Sequence, residues 1–453
     1  MKKLLIVFGI CVLGLVGLCA QPAQNAIWVI GDGMGPGTMG FFMEGVRVSN
    51  VPMYPEKQSV LEKFINESVT GMYFNNTAKT IVTDSGCAAT QMATGVSSLP
   101  EAIGVDENQK EVQTLLEEAY AKGKSIGVVT DVYVEDATPA GFLTHTKSRK
   151  NHYEIARQLA DSQAQVILGG GLKYFTQKEN KDLLKQATQK GWVVVQDRSA
   201  LEKVKSGRVL GLFAKKEMPF YGVRKEYPDT PTLVQMTQKA IELLSQNPKG
   251  FVLIVEAGKI DLTLHKNEGG PTLWEMVNLD ETLSYVWNWA RENGKTLVYL
   301  NADHETGVPI FEYRRFSQMS PADMAQAEML YGSGKDYMAY TRYARLWEHK
   351  RLLYVVYNDF KKLPTRKQTA ETLQQMVNEA LGVDTDLHLG GQVPNSEQLI
   401  EKVNRAQGLV WATKTHSAGM LLGVANGPGA SYFSGVYHNT DLKDKFEKAL
   451  GWE

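Results

Sequence analysis

Short apolar runs that alternate with amphipathic helical patterns are the feature that most constrains the fold of this chain. Three of the runs occupy residues 26–30, 251–255 and 296–300, and each is followed by a glycine or a polar residue. Strands that are apolar throughout and separated by helices are typical of a parallel sheet covered on both faces. The sequence therefore predicts an α/β fold: a three-layer sandwich with a mainly parallel central sheet and helices on both faces.

Residues 311–410 interrupt this alternation. Helical patterns at 321–331, 337–347 and 369–381 follow one another there without the strand rhythm of the rest. With 453 residues, 43% of them hydrophobic, the chain is long enough for one large domain that carries an insertion. We therefore expect a single domain at residues 21–453 with a mostly helical cap at about 311–410.

The first 20 residues have the pattern of a signal peptide. Lys2 and Lys3 precede an apolar run at residues 4–18, which ends near Cys19. Lipid attachment at Cys19 and an uncleaved anchor are the alternatives, and all three export the protein to the periplasm or the cell exterior. Membrane contact is expected only through this segment, if it is uncleaved or lipidated. Cys87 is the one cysteine after residue 20, so the mature chain forms no internal disulfide.

A stretch of small residues at 82–95 contains a serine where negative charge is favoured. Ile81 and Val82 are expected to end a buried strand, and Asp84 is a good helix N-cap. Ser85 would then lie in the first turn of a helix, where unpaired N–H groups and the helix dipole attract anions. In isolation, a capped and tightly packed helix explains this stretch better than an active site does.

Acidic residues and histidines follow several of the predicted strands. Asp32 comes just after the first run, Glu256 after the second, and Asp303 and His304 after the third. A turn explains Asp32 equally well. Adjacent Asp and His side chains at a strand end are harder to justify by packing, because both need polar partners, and they favour a metal site.

Two further strand-end residues are spaced as metal ligands often are. Asp261 and His265 are four residues apart, so a helix places both on one face. This pair suits a divalent metal such as zinc, although an ordinary Asp–His pair accounts for it equally well. His416 precedes another apolar run. A single histidine is normally structural, and His416 is a candidate metal ligand only because it would be the third such residue beside a strand end.

Residues 136–149 contribute an acid, a hydroxyl and a guanidinium, which are Asp136, Thr138 and Arg149. The first two also fit a helix start, and Arg149 also fits a solvated surface charge. An arginine can, however, clamp phosphate oxygens with two parallel hydrogen bonds. Together with the strand-end residues, this set suits a hydrolase with several metal ions. Spacing alone does not distinguish a phosphate from a sulfate substrate.

Taken in order, these residues resemble the motifs of the bacterial and animal alkaline phosphatases. The resemblance extends from about residue 27 to residue 310 and resumes at His416. It rests on the segments 31–35, 83–86, 136–140, 148–149, 167–175, 255–261, 302–307 and 415–416. It implies an alkaline-phosphatase-like fold and an enzyme that hydrolyses phosphate monoesters.

The resemblance also implies roles for individual residues. Ser85 would be the nucleophile that becomes a phosphoserine, and Arg149 would clamp the phosphate. Two zinc ions and one magnesium ion would be bound. The ligands implied are Asp261, His265 and His416 for the first zinc, Asp32, Asp303 and His304 for the second, and Asp32, Thr138 and Glu256 for the magnesium, whose waters Asp136 would order.

Two departures from the enteric bacterial relatives affect the third metal site and the insertion. Leu262 follows Asp261, where those relatives carry Lys and the animal enzymes His. With Asp136 present and no cation beside it, we expect a more acidic third site. The insertion lies in the general region of the crown-like domain of the animal enzymes, where it would shape substrate access or a dimer contact.

The predicted function is metal-dependent hydrolysis of small phosphate monoesters. A phosphodiesterase or sulfatase of the same superfamily is the nearest alternative, and an inactive metal-stabilised surface binding protein is another. The formal net charge of −1 gives no reason to expect a nucleic-acid partner. The oligomeric state stays open, with a homodimer as one option.

Overall fold

A computed structural model describes residues 21–311, 346–382, 387, 389, 391–406 and 409–452. The signal peptide predicted at residues 1–20 lies outside these residues, as do the helix predicted at 321–331 and nearly all of the one predicted at 337–347. No helix in the described part of the chain is long and apolar enough to span a bilayer.

Fourteen strands are found among the described residues, and ten of them form one sheet. In chain order the strands are β1 Asn25–Gly31, β2 Val69–Phe74, β3 Ser125–Tyr133, β4 Val166–Gly170, β5 Trp192–Val195, β6 Arg208–Leu212, β7 Phe251–Ala257, β8 Thr296–Ala302, β9 Glu305–Thr306, β10 Pro309–Phe311, β11 Leu409–Trp411, β12 His416–Ser417, β13 Leu421–Asn426 and β14 Gly435–His438. The order across the large sheet is β14-β2-β13-β8-β1-β7-β3-β4-β6-β5.

The central strands β1, β7 and β8 are parallel and end at the same level. Gly31 at the end of β1 pairs with Ala257 of β7 and with Ala302 of β8. Parallel pairing continues through β3, β4, β6 and β5, whereas β13 is antiparallel to β8 and β2. The predicted mainly parallel sheet is therefore confirmed. The residues that follow β1, β7 and β8 meet at one edge, where open α/β sheets bind ligands.

Helices cover both faces of this sheet and complete the predicted three-layer sandwich. Those described are α1 Pro36–Val48, α2 Val60–Asn66, α3 Ser85–Thr94, α4 Leu115–Ala121, α5 Ala137–Leu143, α6 His152–Asp161, α7 Leu172–Thr176, α8 Leu183–Gln189, α9 Arg198–Lys203, α10 Leu233–Leu244, α11 Lys259–Leu264, α12 Gly269–Asn293, α13 Leu353–Lys362, α14 Ala370–Leu381, α15 Ser396–Ala406 and α16 Asp441–Ala449. α10 and α12 pack on each other, and α3 packs on α5.

The main core is built around β1, whose residues are all buried. The indole of Trp28 stacks on Phe446 with ring centroids 4.3 Å apart. It also makes edge contacts with Phe142 and Tyr299 at 5.3 and 5.5 Å. Its N–H donates to Oδ1 of Asn301 over 2.7 Å. A strand can be apolar along its whole length only when both faces are covered, as they are here.

Helices α13, α14 and α15 surround a second, smaller hydrophobic cluster. Its fully buried members include Phe360, Leu373 and Leu399. The described part of the insertion is thus more than a surface loop, because it buries apolar side chains of its own. The same amphipathic periodicity that predicted the helix at 369–381 accounts for this cluster.

Three hydrogen bonds between described residues attach these helices to the loop that follows α11. The buried carboxylate of Glu268 accepts hydrogen bonds from the first N–H groups of α13, at Leu353 over 2.5 Å and at Tyr354 over 2.8 Å. The amide of Asn404 in α15 donates to the carbonyl of Asn267 over 2.8 Å. A carboxylate at a helix N-terminus is stabilised by the unpaired N–H groups and the helix dipole.

The prediction that Ile81 and Val82 end a buried strand is wrong. Both lie in an irregular segment, and they are 77% and 40% exposed. The hydroxyl of Thr77 accepts hydrogen bonds from the N–H groups of Lys79 and Thr80, which forms a tight turn just before them. This turn prevails over the strand propensity of two adjacent β-branched residues.

We expect Trp28→Phe to lower the free energy of unfolding by about 1–3 kcal/mol, because it removes buried volume and leaves Oδ1 of Asn301 without its donor. Urea denaturation followed by circular dichroism measures the change. Trp289→Phe is the matched control, because Trp289 is only partly buried against Phe251. A loss for Trp28→Phe no greater than for the control would contradict the proposed core.

We expect Glu268→Gln to change how stability depends on pH. Burial raises the pKa of Glu268 from 4.5 to about 8, because it outweighs the opposing effect of the hydrogen bonds from the N–H groups of Tyr354 and Leu353. Between these values the unfolded carboxyl loses its proton while the folded one keeps it, so the wild type loses stability as pH rises. Above about pH 8 the contribution is constant. The glutamine cannot titrate, so its stability relative to wild type should increase with pH across this interval.

The measurement is the urea midpoint of both proteins at a series of pH values from 5 to 9. Glu67→Gln serves as the control, because Glu67 is an exposed acid paired loosely with Arg291. Its curve should run parallel to that of the wild type. A Glu268→Gln curve that is also parallel to the wild type would show that the buried carboxyl does not contribute this pH dependence.

Candidate active site

Asp84 fixes the start of α3 and thereby the position of Ser85. One of its carboxylate oxygens accepts from the N–H groups of Gly86 and Cys87 over 2.8 and 3.4 Å. The other accepts from the N–H of Glu101 over 2.7 Å. Ser85 is consequently held as the first residue of a capped helix and is only 3% exposed. The predicted N-cap is present, although no strand precedes it.

The small residues of α3 let it lie very close to α5. Every residue of α3 is buried. A Cβ added at Gly141 of α5 would be 2.8 Å from the Cβ of Ala89, which is closer than such atoms normally approach. Side chains larger than these would push α3, and Ser85 with it, away from the strand ends.

Asp32, Asp303 and His304 come together at the carboxyl ends of β1 and β8. Each offers a ligand atom, and these atoms all lie within 4.8 Å of one another. Nε2 of His304 is 3.5 Å from Oδ1 of Asp32 and 3.2 Å from Oδ2 of Asp303. The same nitrogen lies 3.1 Å from Oγ of Ser85. The parallel register of the strands therefore brings the serine and a candidate metal group into direct contact.

Asp261, His304 and His416 form a second group whose ligand atoms lie within 4.8 Å of one another. His265 adjoins it, with Nε2 3.3 Å from Oδ2 of Asp261 and 3.2 Å from Nε2 of His416. Nδ1 of His265 contacts the carbonyl of Lys414 over 2.7 Å. A backbone carbonyl held at Nδ1 directs Nε2 of an imidazole toward a metal.

The third predicted set, Asp32, Thr138 and Glu256, lies at the ends of β1 and β7 and in the first turn of α5. One carboxylate oxygen of Glu256 accepts from the hydroxyl of Thr130 over 2.5 Å. The buried hydroxyl of Thr138 has no hydrogen-bond partner in the described part of the chain. Oδ1 of Asp32 and Oδ2 of Asp303 likewise have none among the described residues. A buried oxygen without a hydrogen-bond partner destabilises a fold. A bound cation would supply the missing partner, so these oxygens fit the role of metal ligands.

The electrostatics of the cluster also fit bound cations. Burial and the nearby carboxylates of Asp303 and Asp261 raise the pKa of Asp32 well above its ordinary value. Burial and Asp136 do the same to the pKa of Glu256. Such shifts show that negative charges are crowded together, and a divalent ion relieves this repulsion. Burial lowers the pKa of His304 to about 4, which keeps its imidazole neutral, as a metal ligand must be.

Arg149 is held beside this cluster by two carboxylates. Its Nη2 donates to Oδ1 of Asp136 over 2.8 Å, and its Nη1 is 3.8 Å from Oδ1 of Asp84. The expectation that Asp136 has no cation beside it is therefore wrong. The two residues are 13 positions apart, and they meet because Asp136 caps α5 while Arg149 lies in the loop after that helix.

Thr306 belongs to the site, although the sequence alone assigns it no role. Its hydroxyl donates to Oδ1 of Asp261 over 2.7 Å and lies 3.1 Å from Nδ1 of His304. It thus links a residue of α11 to the histidine that follows β8. The one sequence feature that could indicate its role is its place in the motif at residues 302–307. A threonine in a loop after a strand is too common to indicate a function by itself.

Gly33 allows Asp261 to approach the turn after β1. Its φ is +69°, in the left-handed region, and a Cβ here would lie 2.7 Å from Oδ1 of Asp261. Its N–H donates to Oδ1 of Asp303 over 3.0 Å. A side chain at this position would therefore both strain the backbone and displace a candidate metal ligand.

The family model described as alkaline phosphatase matches residues 23–452. Alkaline phosphatase 4 of Bacillus subtilis is 31% identical over 449 residues, which cover 94% of this chain and 88% of the relative. The alkaline phosphatase of Escherichia coli is 34% identical over 343 residues, which cover 63% of this chain and 71% of the relative.

Solved structures show the same similarity. A cold-active alkaline phosphatase from Shewanella sp. is 30% identical, with a TM-score of 0.77 over 94% of this chain and 99% of that one. The Thermus thermophilus alkaline phosphatase is 24% identical, with a TM-score of 0.81 over 96% of this chain and 93% of that one, and it shows the shared fold.

We expect Thr306→Val to weaken metal binding by about 10–100-fold, because it removes the hydroxyl that orients Asp261 and His304 while it keeps the side-chain shape. Competition with a chelating dye measures the affinity, and the metal content after dialysis gives an independent readout. Thr188→Val is the control, because the exposed hydroxyl of Thr188 donates to the carbonyl of Leu184 in its own helix and to no other residue that the structure describes. Equal metal affinity in all three proteins would contradict the role of Thr306.

Proposed function

Because the chain belongs to the alkaline phosphatase family and is an enzyme that hydrolyses phosphate monoesters, we propose that it acts through a phosphoserine intermediate on Ser85. The observation that supports this most directly is the 3.1 Å separation between Oγ of Ser85 and Nε2 of His304, at the N-terminus of α3. A serine in this position faces the strand-end cluster and has Arg149 nearby, through the shared carboxylate of Asp84.

We further propose that the cluster binds two zinc ions and one magnesium ion. The proposed ligands are Asp261, His265 and His416 for the first zinc, Asp32, Asp303 and His304 for the second, and Asp32, Thr138 and Glu256 for the magnesium, with Asp136 close to the last. The unsatisfied oxygens of Asp32, Asp303 and Thr138 support this assignment. When bound, these ions would lower the pKa of the attacking hydroxyl and neutralise charge on the phosphoryl group.

The residues of this chain supply the remaining chemistry. Oγ of Ser85 attacks phosphorus, a bond from Oγ to phosphorus forms, and the bond to the leaving oxygen breaks, so that the alcohol departs with a proton. Water then attacks the phosphoserine, which releases inorganic phosphate and restores the hydroxyl. The guanidinium of Arg149 is positioned to hold two non-bridging oxygens, because Asp136 and Asp84 fix its orientation.

The alternative functions fit the chain less well. Phosphodiesterases of this superfamily commonly use threonine as the nucleophile and lack the third metal set, whereas this chain has Ser85 with Asp32, Thr138 and Glu256. Sulfatases require a cysteine or serine in a Cys/Ser-x-Pro-x-Arg context, which residues 85–89 do not provide. An inactive metal-binding protein would have no use for both a buried serine and Arg149.

The setting of the enzyme is also part of the proposal. The pattern of the first 20 residues supports export to the periplasm or the cell exterior. Small phosphorylated molecules are the proposed substrates, with no nucleic-acid partner, and membrane contact is limited to the N-terminal segment if it is uncleaved or lipidated. A homodimer is consistent with the sequence.

We expect Ser85→Ala to reduce kcat/KM for a phosphate monoester by at least about a thousandfold, because removal of a covalent nucleophile leaves only binding and electrostatic catalysis. Initial rates with p-nitrophenyl phosphate, in buffer containing zinc and magnesium, measure the loss. Ser434→Ala is the control, because Ser434 is exposed and, within the described part of the chain, its hydroxyl bonds only to the carbonyl of Ser431.

The same preparations should be assayed with a phosphodiester and a sulfate ester. We expect the monoester to be the best substrate of the wild type, and acid quenching during turnover to trap a phosphate on Ser85 that mass spectrometry detects. Full activity in Ser85→Ala, or no monoester hydrolysis by the metal-replete wild type, would contradict the proposal.

A further inference from the structure

A cavity of about 440 Å³ lies beside His265, between the candidate active site and the helical insertion. One wall is formed by residues that follow α11, including Lys266. The facing wall is formed by α13 and α15, which contribute Tyr354 and Gln398, and Trp411 of β11 completes the lining. We call this cavity the leaving-group pocket. Its volume is within the range of pockets that enclose small organic molecules.

The contacts that attach the insertion to the main domain are also the contacts that form this pocket. Asn404, which lines it, donates to the carbonyl of Asn267, two residues after His265. Glu268, the next residue, holds the N-terminus of α13 and therefore the position of Tyr354. The two walls are thus fixed relative to each other and to a candidate metal ligand, so the pocket is a built part of the fold.

Most of the charge in the pocket is already neutralised within it. Glu397 pairs with Lys414 over 3.1 Å, and Glu401 pairs with Arg405 over 2.8 Å. Lys266 has no ion pair in the described part of the chain, and its Nζ lies over the ring of Tyr354 at 4.3 Å from the centroid. Lys266 is therefore the unpaired positive charge among the described residues that line the pocket. A single such charge does not favour a strongly charged ligand.

Two aromatic rings and two amide groups give the pocket its recognition chemistry. The rings are those of Tyr354 and Trp411. The side-chain oxygens of Asn395 and Gln398 accept from each other's backbone N–H groups over 2.9 and 3.0 Å. Both residues are exposed and line the pocket, so their amide NH₂ groups, which bond to no other described residue, donate to water or to a ligand. A ligand with a flat ring and hydrogen-bond acceptors on its edge can stack on the aromatic rings and accept hydrogen bonds from the amide groups at the same time.

The direction of the proposed reaction places the leaving group on this side. In-line transfer requires the leaving oxygen to depart opposite the attacking one. Ser85 contacts His304, whereas His265 lies beyond Asp261 and His416 and lines the pocket. A substrate that is attacked by Ser85 would therefore extend its organic part toward Lys266 and α15.

We propose that the leaving-group pocket binds the nucleoside part of nucleoside monophosphates and makes them the preferred class of substrate. This inference rests on the proposed phosphomonoesterase function, and it adds that the helical insertion determines specificity. The base stacks on the ring of Trp411 and on the face of Tyr354 that Lys266 leaves uncovered, and acceptors on its edge receive hydrogen bonds from the amide groups of Asn395 and Gln398. Sugar phosphates and simple alkyl phosphates lack the flat ring and gain less from this surface.

The test compares kcat/KM for adenosine 5′-monophosphate with that for glycerol 2-phosphate, in the wild type and in two variants. We expect Tyr354→Ala and Gln398→Ala each to lower the ratio about tenfold, mainly through KM for the nucleotide, because one stacked base or one lost donor is worth a change of this size. Tyr432→Ala and Gln375→Ala are matched controls at exposed positions outside the pocket, and they should leave the ratio unchanged.

A second readout does not depend on catalysis. Equilibrium dialysis with adenosine, which carries no phosphate, should show binding to Ser85→Ala that is weakened when Tyr354→Ala is added. A wild type that hydrolyses both esters with equal kcat/KM and does not bind adenosine would overturn the inference while it leaves the proposed function intact. A wild type that hydrolyses neither ester but binds adenosine would overturn the proposed function alone.

Discussion

Repulsion among buried carboxylates is the constraint on which the rest of this structure depends. Asp32, Glu256 and Asp303 lie at the ends of three adjacent strands, Asp261 lies in α11 just after one of them, and none of the four is more than 8% exposed. The imidazole of His265 holds the pKa of Asp261 below its ordinary range in spite of burial, whereas the neutral imidazole of His304 supplies no positive charge to Asp32. Such a set is costly to bury without counterions. The family implies metal cofactors, and we expect their binding to relieve this repulsion and to stabilise the fold around the site.

The sequence predicted the central sheet and the position of the site because both follow from the strand pattern. Apolar runs without alternation indicated buried parallel strands, and parallel strands place Asp32, Glu256 and Asp303 at one edge. The peripheral strands β2, β6 and β14 were not predicted. Burial in β2 alternates along the strand, and β14 has two exposed residues at its start, so neither has the unbroken apolar run of a central strand.

Tertiary contacts between distant side chains account for the remaining differences. The turn formed by Thr77 keeps Ile81 and Val82 out of the sheet, which their own propensity does not indicate. The pairing of Arg149 with Asp136 depends on how a loop returns after α5, and the contacts of Thr306 depend on the register of three separate segments. The hydrogen bonds from the N-terminus of α13 to Glu268 could not be predicted from the sequence either, since the partners are more than 80 positions apart.

The antiparallel strand β13 has a consequence for how the protein is made. It fills the position between β8 and β2, and the segment before it supplies His416. Both the sheet and the candidate site are therefore completed by residues near the end of the chain. Trp28, near the start, likewise meets Phe446 of the last helix. Contacts of such long sequence separation are formed late in folding and at an entropic cost. A chain that ends before residue 416 therefore lacks β13 and one candidate metal ligand, so the candidate site is complete only after most of the chain has been synthesised.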